Sequence, residues 1–427
     1  MPARTGEARR REISHMETGK QSKLQFRIDL VLTVLFLLTI FYLLFGTIVF
    51  EHGLLGHTFY FRYVSQYLED AENYTVWDLV EASKNSLDAF IAENVHGTKA
   101  LQKVNSAFQY TLGKKLVSTG GTQMIRLNSG HLYDMQSEMS LDGPIQDILS
   151  VRDAVPEGTP FVFVYEHSTL YDMNAQLPEE YRFMDFSQQN ADLLMAGLRE
   201  NGVNVIDSRE VFAASGLTLD EFSMRTDKHW TTLAAITMTR EIAGRVQELT
   251  GRELPLERLE IDQFDTEVYP GLFLGTYGQR LGAQLAAPDD IIIYTPKYET
   301  NIHRNTLYNG KVTDVEGPFE KMNIRWDVLT PIEGQTWNVR GYCDYGLVED
   351  YDIMTNEAGA DCTILLLKDS FSAPIGRFLS LAADEVYSVD LRYRNGSLQY
   401  WIERSNPDIV VMSYSMQMLR SEGYAIE

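Results

Sequence analysis

The body of the chain alternates short apolar runs with segments whose apolar residues recur at helical spacing. Runs of four to six apolar residues predict five strands, at 160–165, 203–206, 363–367, 386–389 and 409–412. Helical spacing predicts helices over 186–201 and 232–249, and Ala373-Pro374 is typical of a helix start. Alternating strands and helices are typical of a parallel sheet covered by helices on both faces. The pattern therefore predicts an α/β fold.

Residues 251–360 interrupt this alternation. They contain several glycines, many aromatic residues, and runs such as 291–294 that read as strands. We interpret them as a β-rich insertion packed beside the sheet. Aromatic residues suit stacking on sugar rings, although they more often form a core. Tyr277, within this segment, is our candidate for substrate binding. Upstream, residues 124–132 predict a short hairpin.

Residues 30–50 form an apolar run without a charged residue. At ~1.5 Å per residue, a helix of that length crosses a bilayer core of ~30 Å. A signal peptide is the alternative, but its apolar core is usually only ~7–15 residues long. Residues 1–27 carry seven Arg or Lys against three Glu, which favours a cytoplasmic N-terminus. We therefore predict a single-pass protein of the cell membrane, with a cytoplasmic tail at 1–27 and a transmembrane helix at 28–50. Residues 51–120 would form a juxtamembrane stalk or entry segment, and residues 121–427 an extracytoplasmic domain.

Charge and cysteine content narrow the function further. The formal net charge is -23, and the residues after 27 carry -27, which argues against a nucleic-acid partner. Cys343 and Cys362 would both lie outside the membrane, where they form a disulfide or stay separate thiols. Because no Cys/His cluster has ligand spacing, we expect neither a metal site nor another cofactor.

Polar residues follow the predicted strands where ligands bind in open α/β sheets, beyond the carboxyl ends. The pairs and triplets at these ends are Glu166-His167, Asp207-Ser208, Lys368-Asp369-Ser370 and Asp390-Leu391-Arg392. For Asp207-Ser208 we favour simple capping of the next helix. We take His167 and Arg392 as candidates for substrate binding, although Arg392 is also well placed to pair with Asp390.

Ser370 and the segment around His229 supply the parts of a hydrolytic triad. A serine hydroxyl needs a base within hydrogen-bond reach, and the base needs a group that orients it. Asp227 precedes His229 by two residues, so one short loop delivers both side chains. Backbone N–H groups near the predicted helix start after Ser370 would stabilise an oxyanion. The alternative is a capping serine and a buried structural histidine.

Three blocks resemble the DHHW protein family. They are TDKHWTTLAA at 226–235, GLFLGTYGQRLGAQLAAPDDIIIY at 271–294, and LLLKDSFSAPIGRFLSLAADEVYSVDLRY at 365–393. That family is similar to the SGNH hydrolases and especially to bacterial alginate O-acetylation proteins. The resemblance implies an SGNH-like parallel sheet with flanking helices, Asp227 as the orienting acid, His229 as the base and Ser370 as the nucleophile.

Two positions depart from these motifs. Lys228 stands where the DHHW motif has a second histidine, and Lys368 stands where the hydrolase motif Gly-Asp-Ser has glycine. Lysine tolerates a positive φ poorly, so we expect an altered turn before Ser370. No asparagine has an obvious place in an oxyanion hole, and Asn356 is the candidate that we name.

The resemblance implies a membrane-anchored O-acetyltransferase that acts on a cell-surface polysaccharide. It also implies a multi-spanning membrane-bound O-acyltransferase as the acetyl donor. One alternative is a carbohydrate acetylesterase, in which water replaces the sugar hydroxyl as the acceptor. Another is a catalytically inactive scaffold that binds glycan, which would leave Ser370 and His229 apart.

Overall fold

A computed structural model describes residues 27–42, 75–77, 80 and 98–419, apart from 120–121, 168–175, 284–285, 309, 341–348 and 394–395. The chain divides into two compact units, Met1–Gln102 and Lys103–Glu427. In the first unit, residues 27–42 are helical, and residues 43–50 of the predicted span lie outside the described residues. Within the described ranges, no helix has the length and apolar character needed to cross a membrane. The membrane span stays a prediction.

The second unit is built around one large sheet. Its strands, in chain order, are β1 (Leu116–Thr119), β2 (Thr122–Arg126), β3 (Leu132–Asp134), β4 (Phe161–Glu166), β5 (Asn204–Asp207), β6 (Phe264–Phe273), β7 (Asp289–Pro296), β8 (Ile302–Tyr308), β9 (Lys311–Gly317), β10 (Tyr351–Thr355), β11 (Ala360–Lys368), β12 (Ala383–Val389) and β13 (Ile409–Ser415). The large sheet has the order β5-β4-β13-β11-β12-β10-β8-β9. Two smaller sheets, β1-β2-β3 and β6-β7, accompany it.

The five predicted strands are confirmed as the parallel half of the large sheet. Strands β5, β4, β13, β11 and β12 run parallel to one another. The predicted parallel sheet is confirmed for these five strands, but the sheet as a whole is mixed, because β10, β8 and β9 continue it in antiparallel orientation. All three strands lie within residues 251–360, so this segment extends the large sheet.

Helices cover both faces of the sheet. The helices from residue 98 onward, in chain order, are α1 (Thr98–Thr111), α2 (Asp142–Ala154), α3 (Ser187–Glu200), α4 (Ser208–Ser215), α5 (Leu219–Phe222), α6 (Thr232–Thr250), α7 (Thr276–Leu281), α8 (Phe319–Asn323), α9 (Ala373–Leu379), α10 (Leu398–Ser405) and α11 (Met416–Leu419). The predicted helices over 186–201 and 232–249 correspond to α3 and α6, and the predicted hairpin corresponds to β2 and β3.

Alternate residues of β11 enter two separate cores. Ile364 and Leu366 pack in the cluster that contains Met238 of α6 and Phe378 of α9. Leu365 and Leu367 pack in the opposite cluster, with residues of α2, α3 and α10. Burial of each large apolar side chain contributes about 1.5–3 kcal/mol relative to exposure. This two-sided burial fixes the register of β11, and with it the position of the residues that follow Lys368.

Cys362 is buried near the start of β11. Its suggested partner, Cys343, lies outside the described residues, so a disulfide between the two cysteines stays one of the two alternatives.

Candidate active site

The loop between α5 and α6 delivers Asp227 and His229. An antiparallel bridge joins Ser223 to Trp230 and closes the loop. The buried Asp289 carboxylate accepts hydrogen bonds from the backbone N–H groups of Arg225, at 2.6 Å, and Thr226, at 2.9 Å. The loop is therefore fixed at its base and along its backbone, which a side chain aimed at a reaction centre requires.

Both oxygens of the Asp227 carboxylate are engaged. Oδ1 lies 2.5 Å from His229 Nδ1 and accepts the backbone N–H of His229 at 3.1 Å. Oδ2 accepts the backbone N–H of Thr276, at the start of α7, at 2.6 Å. Burial alone would raise the pKa of Asp227, but His229 and these N–H donors hold it below its ordinary value. Asp227 is therefore ionised and can only accept.

His229 lies between Asp227 and Ser370. Because Asp227 can only accept, Nδ1 of His229 carries the proton, and Nε2 faces Ser370 Oγ at 2.9 Å. Burial lowers the pKa of His229, and the interaction with Asp227 opposes that shift. The imidazole is consequently neutral at pH 7, with its basic nitrogen directed at the hydroxyl.

Ser370 occupies the turn between β11 and α9. The Asp369 carboxylate accepts the backbone N–H of Phe371 at 2.8 Å, which tightens this turn. The indole N–H of Trp230 donates to the Phe371 carbonyl at 3.1 Å, and the rings of His229 and Phe371 lie 4.5 Å apart. These contacts join the loop that carries the base to the turn that carries the serine, although the two are 141 residues apart in sequence.

A pair of buried carboxyl groups, Glu166 and Asp369, lies beneath the Ser370 turn. Asp369 accepts hydrogen bonds from the backbone N–H and the hydroxyl of Ser415, at 3.0 and 2.6 Å. Glu166 accepts from the hydroxyls of Ser372 and Ser413. Burial and Asp369 raise the pKa of Glu166 well above its ordinary value, so Glu166 is the protonated member of this buried carboxyl pair. The pair links β4, β11 and β13 at the carboxyl ends of these strands, where Ser370 lies.

Two further features of the site were absent from the sequence-based prediction. Gly275 approaches Asp227 so closely that a Cβ there would lie 2.4 Å from the Asp227 Cβ. The Thr276 N–H is the second anchor of the Asp227 carboxylate. Glycine in the DHHW-like block at 271–294 was the available signal, but neither its partner nor the backbone donor can be read from sequence.

The predicted substrate-binding residues have different settings. Arg392 makes three hydrogen bonds to Asp390, so the pairing weighed from sequence is present, and its side chain remains 35% exposed. His167 is buried at the end of β4, with contacts to Gln188 and Ser208. Their roles in binding stay predictions.

Tyr277 is also buried. It packs with Met124, Leu132 and Leu281, and its burial raises the pKa of its hydroxyl. This position on α7 matches the core interpretation of the aromatic residues better than a stacking surface, and a role in substrate binding stays a prediction.

The expectation that Asn356 serves the oxyanion site is wrong, whereas the altered turn before Ser370 stays a prediction. Asn356 hydrogen-bonds the carbonyl of Ser380 and the backbone of Ala358, at the sheet edge opposite Ser370. Lys368 ends β11 without a positive φ, since Asn406 is the one non-glycine residue in the described ranges that has a positive φ. Lysine is accommodated because the strand continues in ordinary extended geometry up to the turn.

No metal centre accompanies this site in the part of the chain that the structure describes, where no group of three or more His, Cys, Asp or Glu residues could hold a metal ion. An ionised acid, a neutral imidazole and a half-buried hydroxyl lie in line. Nucleophilic acyl transfer requires groups of these kinds in this order.

Comparison with known proteins shows which family part of this domain resembles. Residues 166–313 match the family model of the SGNH hydrolase-like domain of acetyltransferase AlgX. The matched range contains Asp227 and His229 and ends before Ser370. The resemblance to SGNH hydrolase-like proteins stated from the sequence is confirmed. A search of curated proteins found no match.

Solved structures share the fold. One is a DHHW family protein from Eubacterium siraeum DSM 15702, with 16% identity, a TM-score of 0.54, and coverage of 72% of this chain and 95% of that chain. Another is Bacillus cereus PatB1 with a sulfonyl adduct, with 16% identity, a TM-score of 0.56, and coverage of 70% of this chain and 96% of that chain. The chain therefore has the fold of these proteins over most of their length.

Proposed function

We propose that this chain is an O-acetyltransferase that acts on a cell-surface polysaccharide through Ser370, His229 and Asp227. The observation that carries the proposal is His229, with Nδ1 2.5 Å from Asp227 and Nε2 2.9 Å from Ser370. The match to the SGNH hydrolase-like domain of an acetyltransferase supports acetyl as the transferred group. The chemistry would take place outside the cell, on a domain anchored by residues 28–50.

The reaction has two halves. In the first, His229 Nε2 takes the Ser370 proton while Oγ attacks the acetyl carbonyl carbon, and the leaving group departs with that proton. In the second, His229 takes the proton of a sugar hydroxyl, the hydroxyl oxygen attacks the acetyl-serine, and Ser370 recovers its proton. Asp227 holds the imidazole in the required tautomer and stabilises the imidazolium that forms in each half.

The donor is a proposed partner. One predicted span gives this chain no path for carrying acetyl groups across a membrane. We therefore propose a multi-spanning membrane-bound O-acyltransferase that presents the acetyl group on the outer side. Arg392, with part of its side chain exposed beyond β12, remains the candidate contact for an anionic substituent of the acceptor.

The alternatives differ in the acceptor and in activity. An acetylesterase would use the same residues with water as the acceptor. An inactive scaffold predicts Ser370 and His229 apart, whereas they lie within hydrogen-bond distance. That contact favours an enzyme over a scaffold. Whether the acceptor is a sugar hydroxyl or water is decided by identifying the product.

The first test compares triad variants with a matched histidine control. Ser370→Ala and His229→Ala should each reduce turnover of an artificial acetyl ester by about 10³-fold or more without unfolding the chain, and the double variant should lose little more. His303 forms a similar 2.5 Å contact with Asp314 on exposed strands β8 and β9, so His303→Ala should keep full activity. Near-full activity of Ser370→Ala would show that the triad assignment is wrong.

A second experiment separates transfer from hydrolysis. The purified chain is incubated with an acetyl-ester donor and surface-glycan fragments, and the products are examined by mass spectrometry. Acetylated fragments that disappear with Ser370→Ala would support the transferase. Free acetate alone, across a broad panel of glycans, would replace it with the esterase.

A further inference from the structure

Lys368, the last residue of β11, is almost completely buried and lies two residues before Ser370. Only 1% of it is exposed. Lysine is rarely buried without a partner, since its ammonium loses hydration there. Its Nζ donates to the backbone carbonyl of Glu349 at 3.2 Å. Because β12 lies between β11 and β10 in the sheet, this contact ties the end of β11 to the chain entering β10.

Arg377 reaches the same place from the other side of Ser370. It lies on α9, with 1% exposure, and its Nη2 contacts Glu349 at 2.8 Å and Asp352 at 2.7 Å. Arg304 of β8 completes the group, at 3.1 Å from Glu349 and 2.7 Å from Asp352. We call these five residues, Lys368, Arg377, Arg304, Glu349 and Asp352, the buried ionic cluster.

We propose that Lys368 and Arg377 are positioning residues, which hold the nucleophile turn from both sides by anchoring it in the buried ionic cluster. This inference rests on the proposed function of Ser370. The turn from 369 to 372 has Lys368 at one end and α9 at the other, and the cluster joins these two ends. A nucleophile needs such support, because a small displacement from its base reduces the rate steeply.

The cluster also provides its own comparison. Arg304 binds the same two carboxylates from β8, which is separated from β11 by β10 and β12. If the cluster only stabilises the fold, damage at Arg304 and damage at Arg377 should have equal effects on Ser370. If it positions the turn, only the residues that flank Ser370 should alter the reactivity of the serine.

The experiment measures Ser370 with an aryl sulfonyl fluoride. In this reaction Oγ bonds to sulfur, fluoride leaves, and His229 takes the serine proton, so no natural substrate is needed. The variants of the full chain are Arg377→Lys, its matched control Arg304→Lys, Lys368→Met, and Lys368→Arg, which keeps the positive charge at position 368. All are assayed at a temperature at which circular dichroism shows each one folded, with the melting temperature recorded for each.

Arg377→Lys and Lys368→Met should slow sulfonylation and lower kcat on an acetyl ester by about tenfold or more, with KM within about twofold. Arg304→Lys should keep sulfonylation near the wild-type rate, even where it lowers the melting temperature as much. Lys368→Arg should recover part of the rate that Lys368→Met loses.

Equal losses for Arg377→Lys and Arg304→Lys at matched melting temperature, or wild-type rates for Lys368→Met, would overturn the positioning role and leave the triad intact. If Lys368→Met fails to fold, the pair of arginine variants decides alone. A wild-type chain whose Ser370 does not react at all would instead overturn the proposed function, and the positioning role with it.

Discussion

Gly275→Ala is the sharpest perturbation of the site that the structure offers. The new Cβ would lie 2.4 Å from Asp227 Cβ, 2.6 Å from the Thr226 carbonyl oxygen and 2.7 Å from Asp227 Oδ2. Ordinary contact begins at 3.4 Å, so something must move by about 1 Å. Two of the three atoms belong to Asp227 and the other is backbone of the same loop. The substitution therefore acts on the acid of the proposed triad.

The expected loss follows from that displacement. A 1 Å retreat of Asp227 would stretch its contact with His229 Nδ1 from 2.5 Å to about 3.5 Å, beyond hydrogen-bond range. A misplacement of that size in a catalytic group costs about 10²-fold in rate. Overpacking should also lower the free energy of unfolding by about 1–3 kcal/mol. Activity should fall far more than stability.

The pH profile gives a readout that simple destabilisation would not move. Asp227 raises the pKa of His229 against the effect of burial. Weakening that contact lowers the pKa of His229, so the acidic limb of kcat/KM should shift to lower pH while the plateau falls. The assay is hydrolysis of an artificial acetyl ester from about pH 4 to about pH 9, a range that spans the ordinary histidine pKa of about 6.5.

Gly244→Ala is the matched control. Gly244 lies in α6, and an added Cβ there meets nothing within 4 Å. That variant should keep full activity and gain about 0.5–1 kcal/mol of stability. A folded Gly275→Ala chain with near wild-type kcat/KM and an unchanged acidic limb would refute the reasoning, because it would show that the orientation of Asp227 does not limit the reaction.

Three further predictions concern Glu166, Lys228 and the topology of the chain. Because the pKa of Glu166 is raised in the fold, its contribution to stability is complete below about pH 4.3 and is lost as pH rises through the folded value. Glu166→Gln should therefore keep activity and flatten the fall of the melting temperature with rising pH. An unchanged slope would contradict this. Lys228 lowers the pKa of His229, so Lys228→Met should move the acidic limb to higher pH, whereas the exposed control Lys297→Met should not; a shift to lower pH would count against it. In a variant without other cysteines, Thr5→Cys should resist an impermeant thiol reagent in intact cells, and labelling there would reverse the proposed topology.

Much of the architecture could be predicted because its signals are local. The runs that became β4, β11 and β13 are apolar on both faces, as buried parallel strands must be. The caps were also local: Asp207 accepts the Arg209 N–H and Thr231 accepts the Ala234 N–H. Strands β8 and β9 differ because they carry many exposed or half-buried polar residues, and nothing in their pattern shows that β10 attaches them to the main sheet.

The candidate site likewise has parts that local sequence predicts and parts that it does not. Asp227 and His229 are neighbours in sequence, so their contact could be inferred from spacing, while their contact with Ser370 needed the strand order. The supports of the site could not be inferred. Gly275, Glu166 and the buried ionic cluster each act through atoms brought together from distant segments, and a glycine or a buried lysine has no residue pattern that names its partner.

Lys368 shows how a departure from a motif can be read physically. Judged as a substitution for glycine, it suggested a disturbed turn, because lysine avoids positive φ. The fold gives it ordinary strand geometry and places its ammonium at the Glu349 carbonyl, beside two arginines and two carboxylates. The neighbouring arginines and carboxylates form buried ion pairs, and removing one partner of such a pair costs about 3–5 kcal/mol, since a charge is left unpaired. A buried lysine that is hydrogen-bonded in place, two positions before the proposed nucleophile, restricts the turn more than glycine would, and a serine aimed at a fixed imidazole requires such restriction.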